Sequence, residues 1–121
     1  MKEILLIEDK VTLRTLLGEI LKKSYNITLK ENGLEALQWL QKGNIPDLIL
    51  TDLKMPVMEG RDFIKTVKGS GIFKNIPIIV LSAKDSSGDK IECLKLGAAD
   101  YLSKPFNPEE LLVRMEIVLN K

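Results

Sequence analysis

The chain has 121 residues, of which 45% are hydrophobic and 29% charged, and this is typical of one compact domain, here residues 1–121. Lys and Arg number 18 against 17 Asp and Glu, so the net charge of +1 offers no basic surface for nucleic acid or an anionic membrane. Histidine is absent, which excludes Ser-His-Asp catalysis and histidine-ligated metals. The single cysteine excludes an internal disulfide.

The N-terminal segment has no signal-peptide pattern and enters a strand-like run at once. No apolar stretch approaches the roughly 18–20 residues of a membrane-spanning helix. We therefore expect a cytoplasmic protein without a membrane partner.

Short apolar runs alternate with segments of helical periodicity about every 25 residues, which indicates βα units around a parallel sheet. In chain order, the predicted strands are Glu3–Glu8, Ile27–Glu31, Asp47–Asp52, Ile76–Ser82 and Asp100–Lys104. A helix is predicted after each strand, where apolar residues recur three or four positions apart.

The helices have recognisable faces and ends. The predicted buried positions lie between Leu13 and Leu21 in the first helix and within Gly33–Lys42 in the second. In the last three helices they are, in chain order, Phe63, Ile64 and Val67; Ile91, Leu94 and Leu96; and Leu111, Met115 and Val118. The fifth helix also has strong start signals, with Asn107 as N-cap, Pro108 at the first position and Glu110 three residues after the cap.

The apolar runs predict the strand order as well. Continuous runs indicate strands covered on both faces, so the first, third and fourth strands are central, and the alternating second and fifth lie at the edges. With right-handed crossovers, this gives a five-stranded parallel sheet of order 2-1-3-4-5. That order belongs to the doubly wound, flavodoxin-like α/β folds, three-layer sandwiches that bind ligands at the carboxyl ends of their strands.

Polar side chains follow the ends of several predicted strands: Glu8 and Asp9 after the first, Asp52 after the third, Ser82 after the fourth and Lys104 after the fifth. Three carboxylates in proximity repel by about 4 kcal/mol per pair at 4 Å and an effective dielectric constant near 20. A hard cation relieves this repulsion, and Mg²⁺, which keeps water ligands and shares a phosphate, suits so small a carboxylate set. With a lysine and a hydroxyl added, the set indicates phosphoryl transfer to an aspartate.

Each of these residues, taken singly, also fits a structural role. Asp9 could cap the first helix, Asp52 the turn after its strand and Ser82 the fourth helix, while Lys104 could be a solvated surface lysine. Their joint occurrence at successive strand ends favours the functional interpretation.

Four segments carry a family resemblance: Ile4–Asp9, Asp52–Gly60, Val80–Ala83 and Gly97–Phe106. In this order and spacing they resemble the receiver domain of two-component response regulators, the CheY-like family, and the resemblance covers essentially the whole chain. It implies a phosphorelay protein, not an enzyme, that is phosphorylated by a sensor histidine kinase or a phosphotransfer protein.

The resemblance implies a role for each residue of the acidic site. Asp52 would accept the phosphoryl group. Asp9 and Asp52, with the main-chain carbonyl of Lys54, would bind Mg²⁺, and Glu8 would hold the ion directly or through water. Lys104 would pair first with Asp52 and then with a phosphoryl oxygen.

Two residues take the places of the family's switch. Ser82, where threonine is frequent, would donate a hydrogen bond to the phosphoryl group, and Tyr101 would turn from outside to inside as Ser82 moves. An edge-strand tyrosine packed against the fifth helix is the alternative. The Lys104–Pro105 bond takes the place of the family's cis peptide.

Lys54 and Lys84 occupy positions that tune the lifetime of the phosphoryl group in this family. Their ammonium groups are predicted to add positive potential beside it. The alternative is that both are solvated, or that Lys84 pairs with Glu59.

The output of such a domain is read on the face formed by the fourth helix, the fifth strand and the fifth helix. The implied partners are a downstream protein, a C-terminal output domain beyond this chain, or a second copy of the chain. The candidate charge pairs for a homodimer are Asp100 with Arg114, Lys90 with Glu110, and Lys95 with Glu116. Ordinary surface charge is the alternative.

Two other function classes are disfavoured. A Mg²⁺-dependent phosphatase with an aspartyl nucleophile would resemble a pattern with a second aspartate at position 54, where this chain has Lys54. A flavin or nucleotide carrier would need a glycine-rich phosphate loop after the first strand, where Lys10–Leu13 stands.

Overall fold

A computed structural model describes residues 1–83 and 87–121, and of Ser87 the main chain alone. Within these residues strands and helices alternate in the order β1 Glu3–Ile7, α1 Val11–Leu21, β2 Asn26–Lys30, α2 Gly33–Gln41, β3 Leu48–Thr51, α3 Gly60–Lys68, β4 Ile78–Ser82, α4 Ser87–Leu96, β5 Asp100–Ser103 and α5 Pro108–Leu119. The strands form one parallel sheet in the order β2-β1-β3-β4-β5, which confirms the predicted doubly wound α/β fold.

Helices cover both faces of the sheet, because alternate residues of its central strands point to opposite sides. On one side, Leu5 and Ile49 belong to a buried cluster with side chains of α2, α3 and α4. On the other side, Leu6 and Leu50 pack with side chains of α1 and α5. The three-layer arrangement is therefore as predicted.

Helix α4 buries a different face from the one that its sequence predicted. Ile91 and Leu94, which were predicted to face the sheet, are 52% and 42% exposed, whereas Cys93 is fully buried. Cys93 shares its face with the half-buried Asp89 and Leu96, four positions before it and three after it. The predicted apolar face was wrong because two larger apolar residues lie on the solvent side of this helix.

The start of α5 agrees with its sequence signals in part. The side-chain oxygen of Asn107 accepts a hydrogen bond from the amide of Glu109 at 2.8 Å, as an N-cap does. Glu110 does not complete a capping box, since its carboxylate accepts hydrogen bonds from Arg114 instead. No helix in the part of the chain that the structure describes is long and apolar enough to cross a membrane.

Candidate functional site

Three carboxylates lie together at the carboxyl ends of the two central strands β1 and β3. Ile7 is in register with Thr51, so Glu8, Asp9 and Asp52 follow directly after paired positions. One ligand oxygen from each carboxylate lies within 4.8 Å of the others. Both Glu8 and Asp52 are buried, which strengthens the repulsion between their charges.

Lys104, which follows β5, bridges two of these carboxylates. Its Nζ donates hydrogen bonds to Oε1 of Glu8 at 2.8 Å and to Oδ2 of Asp52 at 2.9 Å. The lysine side chain is only 14% exposed, so it is not a solvated surface lysine. The peptide bond between Lys104 and Pro105 is cis.

Burial and pairing shift the pKa values of Glu8 and Lys104. Burial raises the pKa of Glu8, and the hydrogen bond from Lys104 offsets part of that rise. Desolvation opposes the charge on Lys104, but hydrogen bonds to Glu8 and Asp52 outweigh it and raise the pKa of the lysine. The ammonium group therefore stays protonated and partly neutralises the acidic site.

The carboxylate of Asp52 is held at both oxygens. Oδ1 accepts hydrogen bonds from the amides of Leu53 at 2.6 Å and Lys54 at 3.4 Å. Oδ2 faces Lys104. The carbonyl of Asp52 is also bound, by the hydroxyl of Thr51 at 2.9 Å. These contacts fix the side chain at the edge of the sheet without covering the whole carboxylate.

Asp9 does not cap α1, because Lys10 stands at the N-cap position and makes no side-chain capping bond among the described residues. Oδ1 of Asp9 is buried and has no hydrogen-bond partner within residues 1–83 and 87–121. An unpartnered buried carboxylate oxygen is costly, and a hard cation shared with Glu8 and Asp52 would satisfy it. The donor set therefore fits Mg²⁺.

Two residues without an assigned role in the sequence analysis support the acidic loops. Arg14 donates from Nη1 to the carbonyls of Glu8 at 2.9 Å and Asp9 at 3.4 Å. Gly60 packs so closely that a Cβ there would lie 2.4 Å from the carbonyl oxygen of Asp52. No local sequence pattern indicates the contact of Arg14, whereas a glycine soon after a predicted site aspartate is a recognisable signal for close backbone approach.

The loop between Asp52 and α3 contains a strained turn. Val57 has φ +71°, a conformation that β-branched residues rarely adopt, and Met58 donates to the carbonyl of Pro56 at 2.7 Å. The side chain of Val57 is 74% exposed and gains little packing in return.

Ser82 and Tyr101 lie on the neighbouring strands β4 and β5, where Tyr101 is in register with Val80. Ser82 ends β4 and is buried, and Tyr101 is 5% exposed. Tyr101 packs in the cluster that contains side chains of α2, α3 and α4, and it also lines a cavity with Glu110 and Arg114 of α5. Burial raises the pKa of Tyr101, and a side-chain hydrogen bond with Ser82 acts in the opposite direction. Lys84 lies outside the described residues.

Comparison with known proteins places this architecture in a family. The sequence model of the family described as the response regulator receiver domain matches residues 4–116. This chain belongs to that family. The receiver domain is 39% identical over 116 residues to histidine kinase P4 of Formosa agariphila, covering 96% of the chain and 8% of the kinase. It spans about half the length of several curated relatives, among them response regulator MprA of a Mycobacterium species and the transcriptional regulatory protein PhoP of Bacillus subtilis.

Solved structures resemble the receiver domain along its whole length. The chemotaxis response regulator CheY4 of Vibrio cholerae has a TM-score of 0.90 and 35% identity, with 98% of each chain covered. The receiver domain of sensor histidine kinase PA1611 of Pseudomonas aeruginosa has a TM-score of 0.90 and 31% identity, covering 99% of this chain and 98% of that one. That protein was solved with a magnesium ion coordinated in its active-site cleft.

Proposed function

We propose that this receiver domain accepts a phosphoryl group on Asp52 from a phosphohistidine of a sensor histidine kinase or phosphotransfer protein. The observation that carries the proposal is the contact of Asp52 with Lys104 beside two further carboxylates. A carboxylate oxygen held next to a fixed cation suits the attack on a phosphorus atom.

In this reaction a free electron pair on an Asp52 oxygen forms a bond to phosphorus while the phosphorus–nitrogen bond of the donor breaks. The leaving imidazole nitrogen keeps the electron pair and takes a proton from solvent. Lys104 would neutralise one phosphoryl oxygen and the Ser82 hydroxyl would donate to another.

The metal partner proposed here is Mg²⁺, held by Asp9, Asp52, the main-chain carbonyl of Lys54 and, directly or through water, Glu8. When bound, the ion would neutralise charge on the transferred phosphoryl oxygens. Oδ1 of Asp9, which is buried and has no hydrogen-bond partner among the residues that the structure describes, supports this assignment. Lys54 is exposed beside the site, and its ammonium group would add positive potential that changes the lifetime of the acyl phosphate.

Acetyl phosphate tests the acceptor directly. The protein is incubated with Mg²⁺ and this donor, and intact mass spectrometry should show one phosphoryl adduct that hydrolyses on standing. Asp52→Asn should abolish the adduct, whereas Asp62→Asn, a matched change at an exposed aspartate on α3, should keep it. An adduct of unchanged yield in Asp52→Asn, or sustained turnover of many phosphate esters, would contradict the proposal.

The proposed readout of phosphorylation is the face formed by α4, β5 and α5, which would control a downstream protein, an output domain or a second copy of the chain. On this face Arg114 pairs within the chain with Asp100 at 3.0 Å and with Glu110 at 3.0 Å. A dimer through this face would exchange such pairs between copies. Sedimentation before and after phosphorylation tests it, and a strict monomer in both states would rule the dimer out.

A further inference from the structure

Helix α4 is fastened to the rest of the domain by few apolar contacts. Among its described side chains, Cys93 is the buried one, and Leu96 is half-buried. Its larger apolar residues Ile91 and Leu94 face solvent. Because apolar burial is the main source of tertiary stability, polar contacts carry an unusually large share of the attachment of this helix.

A polar contact to α4 comes from Arg61, the second residue of α3. Its Nε donates to Glu92 and its Nη2 to Asp89, so one guanidinium joins two acidic residues of α4. The side chains of Arg61 and Asp89 are 29% and 17% exposed, which limits screening by solvent. Since the two acids are three positions apart on the helix, the fork of donors restrains both the position and the rotation of α4. We call these three residues the Arg61 clamp.

The clamp is anchored to the segment that carries the proposed phosphoacceptor. Arg61 directly follows Gly60, whose amide donates to the carbonyl of Leu53 at 2.8 Å. The main chain of Gly60 also lies against the carbonyl of Asp52, where a Cβ would find no space. The base of the Arg61 side chain is therefore fixed relative to Asp52.

At its other end the clamp lies near Tyr101. Tyr101 and Cys93, the residue after Glu92, belong to the same buried apolar cluster. Tyr101 is inside the protein in the same structure in which the clamp is closed. A displacement of α4 would separate Arg61 from Asp89 and Glu92, so the closed clamp favours the position of α4 in which Cys93 shares a buried cluster with Tyr101.

We propose that Arg61 is a positioning residue that couples α4 and Tyr101 to the phosphoacceptor loop and thereby strengthens binding of a phosphoryl group at Asp52. The inference rests on the function proposed above. A partly exposed charge network of this kind should change the dissociation constant of a phosphoryl mimic by about threefold to fivefold.

Beryllofluoride, a tetrahedral mimic of an aspartyl phosphate, measures this coupling. It is titrated into the ¹⁵N-labelled protein in the presence of Mg²⁺, and the amide signals of α4 and β5 give the dissociation constant. Arg61→Ala should raise that constant about threefold to fivefold. The matched control is Lys22→Ala, which removes an exposed ion pair with Glu19 on α1 and should leave the constant unchanged.

A merely structural role for Arg61 would lower the unfolding free energy without moving the dissociation constant, so both are measured. Arg61→Lys keeps the charge but loses the fork, and it should recover part of the affinity. If Arg61→Ala does not fold, Glu92→Ala is tested in its place. It should raise the dissociation constant of beryllofluoride by a smaller factor.

A dissociation constant within error of the wild type in every clamp variant that folds would overturn the inference and leave the proposed function intact. If the wild type does not bind beryllofluoride, or binds it as well after Asp52→Asn, the proposed function fails and the inference falls with it.

Discussion

Replacement of Lys104 by methionine should expose how strongly the acidic cluster depends on one ammonium group. The variant leaves Glu8 and Asp52, whose side chains are 2% and 9% exposed, without the cation that bridges them. Removal of one partner from a buried ion pair costs about 3–5 kcal/mol. Lys104 lies near the surface, at 14% exposure, so we expect about 3 kcal/mol of unfolding free energy to be lost at neutral pH.

The size of this loss should depend on pH and on Mg²⁺. Burial already raises the pKa of Glu8, and loss of the Lys104 hydrogen bond should raise it further. The folded variant then holds this proton more tightly than the unfolded chain, so its stability falls as pH rises from the ordinary glutamate pKa through the folded one. The loss caused by the substitution should therefore be smaller near pH 5 than near pH 7.5.

Urea denaturation at both pH values, with and without Mg²⁺, measures these effects. A ligand at about 100 times its dissociation constant adds about 2.7 kcal/mol of stability. Saturating Mg²⁺ should therefore return the Lys104→Met variant to nearly the stability that the wild type has without Mg²⁺. Lys23→Met, at an exposed lysine, is the matched control and should be nearly neutral. An equal loss at both pH values with no recovery in Mg²⁺ would refute the electrostatic explanation.

Further outcomes follow from backbone geometry and from two tyrosines whose pKa values are raised. Val57→Gly should stabilise the protein by about 1 kcal/mol in urea denaturation, because it relieves a φ of +71° at an exposed side chain, and a lower stability would contradict this. Gly60→Ala should cost about 2–3 kcal/mol, since its Cβ would meet main-chain atoms at 2.4 and 2.7 Å, whereas Gly71→Ala, with open space around it, should be nearly neutral. Burial raises the pKa of Tyr25 and Tyr101, so the folded protein keeps these protons longer and its stability should fall as pH rises past the ordinary tyrosine pKa. An ultraviolet titration in which either phenol ionises at the ordinary value would contradict the last expectation.

The fold followed from sequence because each central strand is a continuous apolar run, as in Ile4–Ile7, and each edge strand is mixed. Helix α4 shows where this reasoning stops. A helical pattern gives a face only when its apolar residues are confined to one side, and here Ile91 and Leu94 outnumber the single buried Cys93. Packing against the rest of the domain buries the smaller Cys93 and leaves the two larger residues exposed.

The sequence predicted those parts of the site whose positions follow from the strand order. Glu8, Asp52 and Lys104 follow strands whose carboxyl ends meet at one edge, so their proximity follows from the strand order. The pairing of Arg61 with α4 depends instead on how two helices cross, and an arginine on a polar helix face gives no sign of its partner. The chemical roles of these residues stay predictions until phosphorylation is measured.

The bridge made by Lys104 also affects how tenaciously a dication can be retained. Its positive charge is fixed within 2.9 Å of two prospective ligand groups, so any incoming dication meets repulsion as well as attraction. Where Mg²⁺ binds as proposed, this repulsion weakens its binding, and the occupancy of the acidic cluster would follow the ambient Mg²⁺ concentration. Chelation should therefore empty the acidic cluster of Mg²⁺ without unfolding the domain.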